Sequence, residues 1–315
     1  MIKVLPLLFL LISLRLAALE RFNIPDVFVS ALVSDEARKE VWVGTYNGIY
    51  VFRESKLAVT YPGPEFTGIS GKIILESSSG LSSRFVTSLM LTDKFCLAGT
   101  DRSLDIIDRE TGKQEKTFQR SQVSGFLQLG KYILCASFDG LSYLDENLEL
   151  APISHLKENL APLDYTPISG IYFQSPTRNI WVVLTNGGCV KISKDDQKKY
   201  LGNVRIKSIS GYEDKVCFAA EDSLLVFNGY SWQRIRSSPF GNLPSKKVLA
   251  VFDGGNSLLL ATDTGVYKYD NVLFKPLFED SDILNQTYVR SFLKVGKNLL
   301  LGTQKNGIYL VKEDS

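Results

Sequence analysis

The sequence is short of the side chains that build metal and redox sites. It contains a single histidine, His155, and no Cys-x-x-Cys pair among its four cysteines. A lone histidine cannot form a histidine-rich metal site or supply a triad by itself. Phosphate-loop, nucleophile-elbow and calcium-loop patterns are also missing. We therefore expect neither a metal nor a cofactor.

An excess of charge of one sign is missing too. The chain has 36 Lys and Arg residues against 34 Asp and Glu residues, a formal net charge of +2. Hydrophobic residues make up 44% and charged residues 22% of the 315 residues, which is ordinary for a globular protein and excludes a disordered chain. Removal of the apolar N-terminal segment with Lys3 and Arg15 would leave 34 basic and 34 acidic residues. Without a basic stripe or a large net charge, we expect no nucleic acid partner.

Apolar runs are short everywhere except at the N terminus. Lys3 precedes residues 4–14, which are almost wholly apolar, and small residues end at Ala18. A basic start, an apolar stretch and a small-residue cleavage position are typical of a secretory signal peptide. The run is shorter than the roughly 20 residues that a membrane helix needs. We predict that residues 1–18 are a signal peptide and that residues 19–315 are periplasmic or extracellular, with no membrane span.

One pattern recurs through the rest of the chain: an apolar strand, a small residue, an anchor position, a tight turn and a second apolar strand. Residues 41–52 (VWVGTYNGIYVF) and 299–311 (LLLGTQKNGIYLV) are the clearest copies. The anchor position recurs seven times, at Thr45, Thr100, Ser137, Leu184, Ala220, Thr262 and Thr303. A mean spacing of about 43 residues between short strands is typical of propeller blades.

Each copy expands into four predicted strands joined by turn residues. In the first copy the strands are predicted at 27–33, 41–45, 49–52 and 57–61. Asn47-Gly48 suits the tight turn between the second and third strands, because both positions of such a turn favour positive φ.

The two ends of the chain fit one closed ring. The last copy stops after its third strand at Ile308–Val311, and Leu19–Ile24 precedes the first inner strand without a partner. We predict that these segments pair and so remove the exposed strand edges. The predicted fold is an all-β, seven-bladed propeller with four-stranded blades, closed by an N-terminal strand, in one domain over residues 19–315.

Residues 80–100 (GLSSRFVTSLMLTDKFCLAGT) resemble the two-component regulator propeller repeat. Residues 243–252 and 284–303 resemble the repeat as well, and Trp42 and Trp181 occupy its tryptophan position. The resemblance implies a seven-bladed propeller of the kind that forms the extracytoplasmic sensing half of membrane kinases. Because no kinase sequence follows the propeller, we expect that a sensor of this kind would signal through a separate protein, such as a membrane sensor kinase.

The four cysteines lie in apolar strands. Cys96, Cys135 and Cys217 fall in second strands and Cys189 begins a third strand. Neighbouring blades rarely bring Cβ atoms within the roughly 4 Å that a disulfide requires. We therefore predict four free, buried thiols, although an exported chain with an even cysteine count could also form disulfides.

The turns between second and third strands converge on one face of a propeller, around the channel mouth. Their mixture of aromatic, acidic and basic residues suits a peptide, a sugar or a protein loop. The predicted ligand-binding residues are Tyr46, Asp101, Arg102, Phe138, Asp139, Asp222, Asp263 and Lys305, and Asn186 and Glu221 occupy the same kind of turn. Alternatively, these residues only stabilise the turns, because Asp and Asn side chains hydrogen-bond to the nearby backbone in turns whether or not a ligand binds. The long connectors 62–84 and 154–170 are expected on the same face and could contribute.

The leading functional hypothesis is an exported, non-enzymatic and monomeric module that binds a protein or small ligand at this rim, as a sensor partner or assembly scaffold. The alternative is a lyase or hydrolase acting on a polysaccharide or cyclic peptide. Lyases of the virginiamycin-inactivating kind resemble this fold and use a histidine as base, whereas His155 lies in a connector between repeats. Three tryptophans are too few for a quinone-dependent propeller dehydrogenase.

Overall fold

A computed structural model gives the fold of the protein. It describes residues 19–22, 28–53, 56–62, 80–237, 243–255, 257–278, 288–296 and 298–312. The predicted signal peptide lies outside these residues. Within them, no helix is both long and apolar enough to cross a membrane.

The described strands form seven four-stranded antiparallel sheets, the blades. In chain order from the inner to the outer strand, the first three blades are β2 (Val29–Asp35), β3 (Glu40–Thr45), β4 (Gly48–Arg53) and β5 (Lys56–Pro62); β6 (Val86–Leu91), β7 (Phe95–Thr100), β8 (Ser103–Asp108) and β9 (Gln114–Gln119); and β10 (Val123–Leu129), β11 (Tyr132–Ser137), β12 (Gly140–Leu144) and β13 (Leu150–Pro152). The next three are β14 (Ile168–Gln174), β15 (Asn179–Leu184), β16 (Cys189–Ile192) and β17 (Gln197–Tyr200); β18 (Ile206–Tyr212), β19 (Lys215–Ala220), β20 (Ser223–Phe227) and β21 (Trp232–Arg236); and β22 (Val248–Asp253), β23 (Leu258–Thr262), β24 (Gly265–Tyr269) and β25 (Phe274–Pro276).

The seventh blade closes the ring with strands from both ends of the chain. It consists of β26 (Val289–Val295), β27 (Asn298–Thr303), β28 (Ile308–Lys312) and, outermost, β1 (Leu19–Phe22). β1 is antiparallel to β28, in the register that pairs Leu19 with Val311 and Phe22 with Ile308. The prediction of a seven-bladed propeller closed by an N-terminal strand is therefore confirmed.

The hydrophobic core lies between blades. Each of the seven clusters of buried side chains joins two blades that are neighbours in the ring, and the seventh cluster joins the last blade to the first. Val43 and Phe52, for example, pack with Leu300 and Leu310 across the closing seam. One face of a sheet becomes buried only when the next blade covers it, so the ring holds together through these contacts.

The recurring anchor residue has a structural reason. The Thr45 hydroxyl donates to the backbone oxygen of Gly48 at 2.9 Å and accepts from the amide of Asn47 at 3.0 Å. Equivalent hydroxyl-to-carbonyl bonds are made by Thr100, Ser137, Thr262 and Thr303. The hydroxyl therefore ties the second strand to the hairpin turn that follows it, which explains why Thr or Ser recurs at this position.

The small residue before the anchor is required by the adjacent blade. A Cβ atom on Gly44 would lie 2.7 Å from Cγ1 of Val86, which begins the inner strand of the second blade. A Cβ on Gly99 would lie 2.7 Å from Cγ1 of Val123, at the start of the third blade. The repeat therefore keeps a small residue where the next inner strand approaches most closely.

All four cysteines are free and buried, as predicted. Burial raises the pKa of the Cys135, Cys189 and Cys217 thiols to about 12 each, and burial also raises the pKa of Cys96. These side chains belong to four different clusters between blades, where they act as small apolar groups.

Candidate functional site

The turns between second and third strands share one face with the starts of the inner strands; we call it the turn face. The amide of the first turn residue bonds to the backbone oxygen before the inner strand of the same blade, as from Tyr46 to Phe28 at 3.1 Å and from Gln304 to Tyr288 at 2.9 Å. The eight predicted ligand-binding residues therefore lie on the turn face, in six of the seven blades.

Tyr46 belongs to an aromatic cluster at the channel mouth. Its ring stacks on Phe28 with the centroids 4.1 Å apart, and it meets Phe85 edge-to-face at 5.4 Å. The Arg84 guanidinium lies over the Phe85 ring at 4.8 Å from its centroid. Tyr46 remains 38% exposed, so the cluster presents an aromatic surface to solvent while its lower rings fix the position of Tyr46.

Four predicted residues line a cleft between the second and third blades. One part of the cleft, about 490 Å³, is lined by Phe138, Asp139 and Tyr165 among others. An adjoining part of about 330 Å³ is lined by Asp101 and Arg102. Both parts include Arg120 and Asp139, so they form one concave surface with aromatic, basic and acidic side chains. A concave surface of this kind offers aromatic faces and polar groups to a ligand.

Arg120 is the cleft residue that sequence reasoning missed. It lies in the connector from β9 to β10, where its amide bonds to the backbone oxygen of Arg102 at 3.0 Å. Its Nε atom is buried and has no hydrogen-bond partner among the described residues. The Arg120 side chain lines both parts of the cleft, where a guanidinium is suited to a carboxylate or another acceptor of a ligand. The only signal in the sequence is its place just before an inner strand.

Tyr165 and Asp164 reach the cleft from the long connector between the third and fourth blades. This connector contains two short 3₁₀ helices, Ile153–His155 and Glu158–Leu163. A Cβ atom on Gly140 would lie 2.0 Å from the backbone oxygen of Asp164, so the connector lies directly on the turn of the third blade. Tyr165 is 84% exposed. The expectation that connector 154–170 contributes to this face is confirmed; residues 63–79 of the other long connector lie outside the described residues.

Asp101 and Asp263 both hold the chain segment that leads into an inner strand. Ser83 donates to Asp101 at 2.5 Å, and Ser245 donates to Asp263 in the same way. These serines belong to the segments that resemble the regulator propeller repeat. The two carboxylates therefore have a structural role in addition to any contact with a ligand.

Asp222 faces the outer strand of its own blade. It accepts from Arg234 at 2.8 Å and lies 3.7 Å from Arg236. The hydrogen bond from Arg234 holds the pKa of Asp222 below its ordinary value. Lys305 is exposed on the seventh blade. The structure therefore does not bring these two residues into the cleft of Arg102 and Asp139.

A second cavity, of about 330 Å³, lies on the opposite face between the first and seventh blades. It is lined by both apolar and polar side chains, and two of its carboxylates, Asp35 and Glu40, are bound to the buried Arg109. The same guanidinium lies 5.7 Å from the centroid of the Trp42 ring, and its hydrogen bond holds the pKa of Asp35 below the ordinary value. Since Arg109 and Trp42 belong to different blades, this network joins the first blade to the second.

His155 ends the first 3₁₀ helix and is exposed. The amide of the preceding Ser154 donates to Asp164 at 3.0 Å, but His155 is not among the residues that line the cleft. Among the described residues, no group of three or more His, Cys, Asp or Glu side chains could hold a metal ion.

The fold is similar to solved propellers of bacterial sensors. The extracellular domain of the hybrid two component system BT4673 from B. thetaiotaomicron superposes with a TM-score of 0.71 at 18% identity, over 95% of this chain and 40% of that one. The extracellular domain of BT3049 from the same organism gives a TM-score of 0.70 at 16% identity, over 94% and 42%. The chain has the fold of the two-component sensor propellers. It spans less than half of the length of these two domains.

Virginiamycin B lyase from Staphylococcus aureus, solved with quinupristin, is similar over its whole length. Its TM-score is 0.70 at 12% identity, over 94% of this chain and 99% of that one. No family model and no curated protein matches the sequence. At these identities the likenesses establish the fold, and they leave the ligand to be argued from the site.

Proposed function

We propose that the protein is an exported binding propeller that acts as a sensor partner, with its ligand in the cleft between the second and third blades. The observation that supports it best is the convergence of Arg102, Arg120, Phe138 and Tyr165 on one concave surface. A peptide, a sugar or a protein loop offers the apolar faces and hydrogen-bonding groups that these side chains can contact. The signal would pass to a separate protein, for which a membrane sensor kinase is the proposed candidate.

Site-specific photo-crosslinking in the native host tests this proposal, because it captures whatever molecule occupies the cleft. A photoreactive phenylalanine analogue replaces Tyr165 in the cleft or, as the matched control, Tyr230, which is 97% exposed in the turn between β20 and β21 on the opposite face. We expect an adduct at position 165 that is absent at position 230. Arg102, whose side chain is 78% exposed, should be needed for this adduct, so that Arg102→Ala removes it. Identical adducts at both positions, or adducts indifferent to Arg102→Ala, would contradict a site in the cleft.

The enzymatic alternative is a lyase or hydrolase, and the fold of virginiamycin B lyase is the observation that favours it. The cleft offers the carboxylates of Asp139 and Asp164 as candidate general bases, and both line it. Incubation of the purified protein with quinupristin, followed by mass spectrometry, separates the two functions. A ring-opened product that depends on Asp139 would favour the enzyme, whereas a ligand recovered unchanged favours the binding module.

A further inference from the structure

Fourteen residues of the ring define the channel mouth at the turn face: the residue before each inner strand and the second residue of that strand. The second residue is in every blade the extra residue of a β-bulge, because the register shifts there. The residues before the strands are Phe28, Phe85, Gln122, Pro167, Arg205, Lys247 and Tyr288. The bulge residues are Ser30, Thr87, Ser124, Ser169, Lys207, Leu249 and Arg290. We call these fourteen residues the mouth ring.

Cations occupy one arc of the mouth ring. Arg205 and Lys207 belong to the fifth blade, Lys247 to the sixth and Arg290 to the seventh. Arg205, Lys207 and Lys247 are exposed, and none of the fourteen ring positions is a carboxylate. Four positive charges on three consecutive blades produce a local positive potential, although the whole chain is nearly neutral.

Two of the three carboxylates in the turns of the fifth and sixth blades bond to other side chains, and the third, Glu221, is exposed. Asp222, in the turn of the fifth blade, is held by Arg234 in the outer strand of that blade. Asp263, in the turn of the sixth blade, accepts from Ser245. These two carboxylates therefore do not form ion pairs with the cationic arc in the described part of the chain.

Aromatic residues occupy the adjoining arc. Tyr288, Phe28 and Phe85 precede the inner strands of the seventh, first and second blades. Tyr46 stacks on Phe28 and meets the edge of Phe85, and Tyr288 is 41% exposed. Exposed rings fixed by other rings provide a flat surface on which a sugar or an aromatic ring can stack.

Arg290 joins the two arcs. Its guanidinium lies 5.9 Å from the centroid of the Phe28 ring, and one of its terminal nitrogens donates to Gln304 at 3.1 Å. Its Nε atom is buried and has no partner within the described residues. The contacts with Gln304 and Phe28 already restrict the Arg290 side chain. Binding an anion would therefore cost it little further conformational entropy.

We propose that the mouth ring binds an anion that carries a ring with an apolar face. The anionic group would meet Arg205, Lys207 and Arg290, and the ring would stack against Tyr46 or Tyr288. Acidic sugars and aromatic acids share this chemistry. The residues that would contact this anion belong to the fifth, seventh and first blades. The cleft lies between the second and third blades, so the proposal does not depend on the function proposed for that cleft.

Calorimetric titration with three probes tests the ligand class. The probes are a tetrasaccharide that contains glucuronate, a neutral tetrasaccharide of N-acetylglucosamine, and 4-hydroxybenzoate. We expect at least one of the two anionic probes to bind, with an affinity that falls as salt rises because screening weakens charge attraction. The anionic probe that binds more tightly identifies the source of the ring, and the neutral sugar should bind more weakly than the acidic one.

Matched double variants locate the site. Arg205→Gln with Lys207→Gln removes two charges from the cationic arc, and both side chains are exposed, so the fold should be retained. Lys113→Gln with Lys131→Gln removes two exposed charges from turns on the opposite face. We expect at least a tenfold loss of affinity for the anionic probe in the first variant and no change in the second. Equal affinities in both variants, or no binding of either anionic probe by the wild-type protein, would overturn the proposal.

Discussion

Hydrogen bonds from hydroxyl groups explain why Thr or Ser recurs at equivalent positions of several blades. Thr45 and its equivalents bond to the hairpin turn, and Ser83 and Ser245 bond to Asp101 and Asp263. Each of these bonds fixes a connection within one blade. Consequently a carboxylate on the turn face is not by itself a sign of a ligand, and the exposed Arg102 and Tyr165 are better residues for testing binding than Asp101.

The four buried thiols should be unreactive in the native protein. Native protein should react slowly with a thiol reagent at pH 8, since burial raises the pKa of Cys135, Cys189 and Cys217 to about 12. Denatured protein should titrate four thiols without reductant, as expected from four free cysteines. Because the folded chain holds these protons more tightly, stability is fully present below the ordinary thiol pKa and should fall as the pH rises from about 9 towards 12.

Ellman titration in denaturant and melting curves from pH 7 to 11 provide the measurements. Fewer than four thiols in the unreduced, denatured chain would reveal a disulfide and reject the assignment of all four as free. A melting temperature that stays constant up to pH 11 would show instead that the buried thiols do not contribute to the pH dependence.

At the scale of elements, the outer strand of the seventh blade comes from a distant part of the chain. β1 pairs with β28 over four residues, from Leu19 with Val311 to Phe22 with Ile308. Deleting Leu19–Ile24 should leave the edge of β28 unpaired and lower the melting temperature by at least about 2 °C. Each lost hydrogen bond contributes about 0.5–1.5 kcal/mol to the free energy of unfolding, and 1 kcal/mol corresponds to about 2–4 °C in a large domain.

Removal of residues 313–315, which follow β28, is the control for shortening the chain. It should change the melting temperature less than the deletion of the N-terminal segment does, as measured by circular dichroism. If the two truncations melt at the same temperature as the intact mature chain, β1 adds nothing to the stability of the ring.

In the whole molecule, the predicted signal-peptide cleavage position lies directly before β1, the strand that closes the ring. Cleavage near Ala18 would remove the predicted signal peptide and leave Leu19, the first residue of β1, at the new terminus. We expect the mature protein in the periplasmic or extracellular fraction to begin at or near Leu19, as N-terminal sequencing would determine. A mature chain that begins after Phe22 would lack β1 and would contradict closure by this strand.

The repeat, the strands and the closing of the ring could be predicted from local patterns of residues. Asn47-Gly48 and the hydroxyl of Thr45 form contacts within one hairpin, and the small Gly44 contacts the next inner strand. These contacts join residues within about one repeat of 40 residues, so the repeat shows them as a recurring pattern. The predicted inner strand at 27–33 is observed at Val29–Asp35, a shift at the strand ends, where local patterns determine boundaries least sharply.

The side chains that share a site could not be predicted in this way, because the packing of neighbouring blades brings them together. Arg120 and Tyr165 come from connectors and reach the cleft because neighbouring blades and the 3₁₀ helices place them beside Asp139. Asp222 turns away because Arg234 lies opposite it on the outer strand. The cations of the mouth ring are far apart in a chain with balanced charge, and the ring places them at equivalent positions of three successive blades. Such contacts join residues tens of positions apart, so no local pattern in the sequence encodes them.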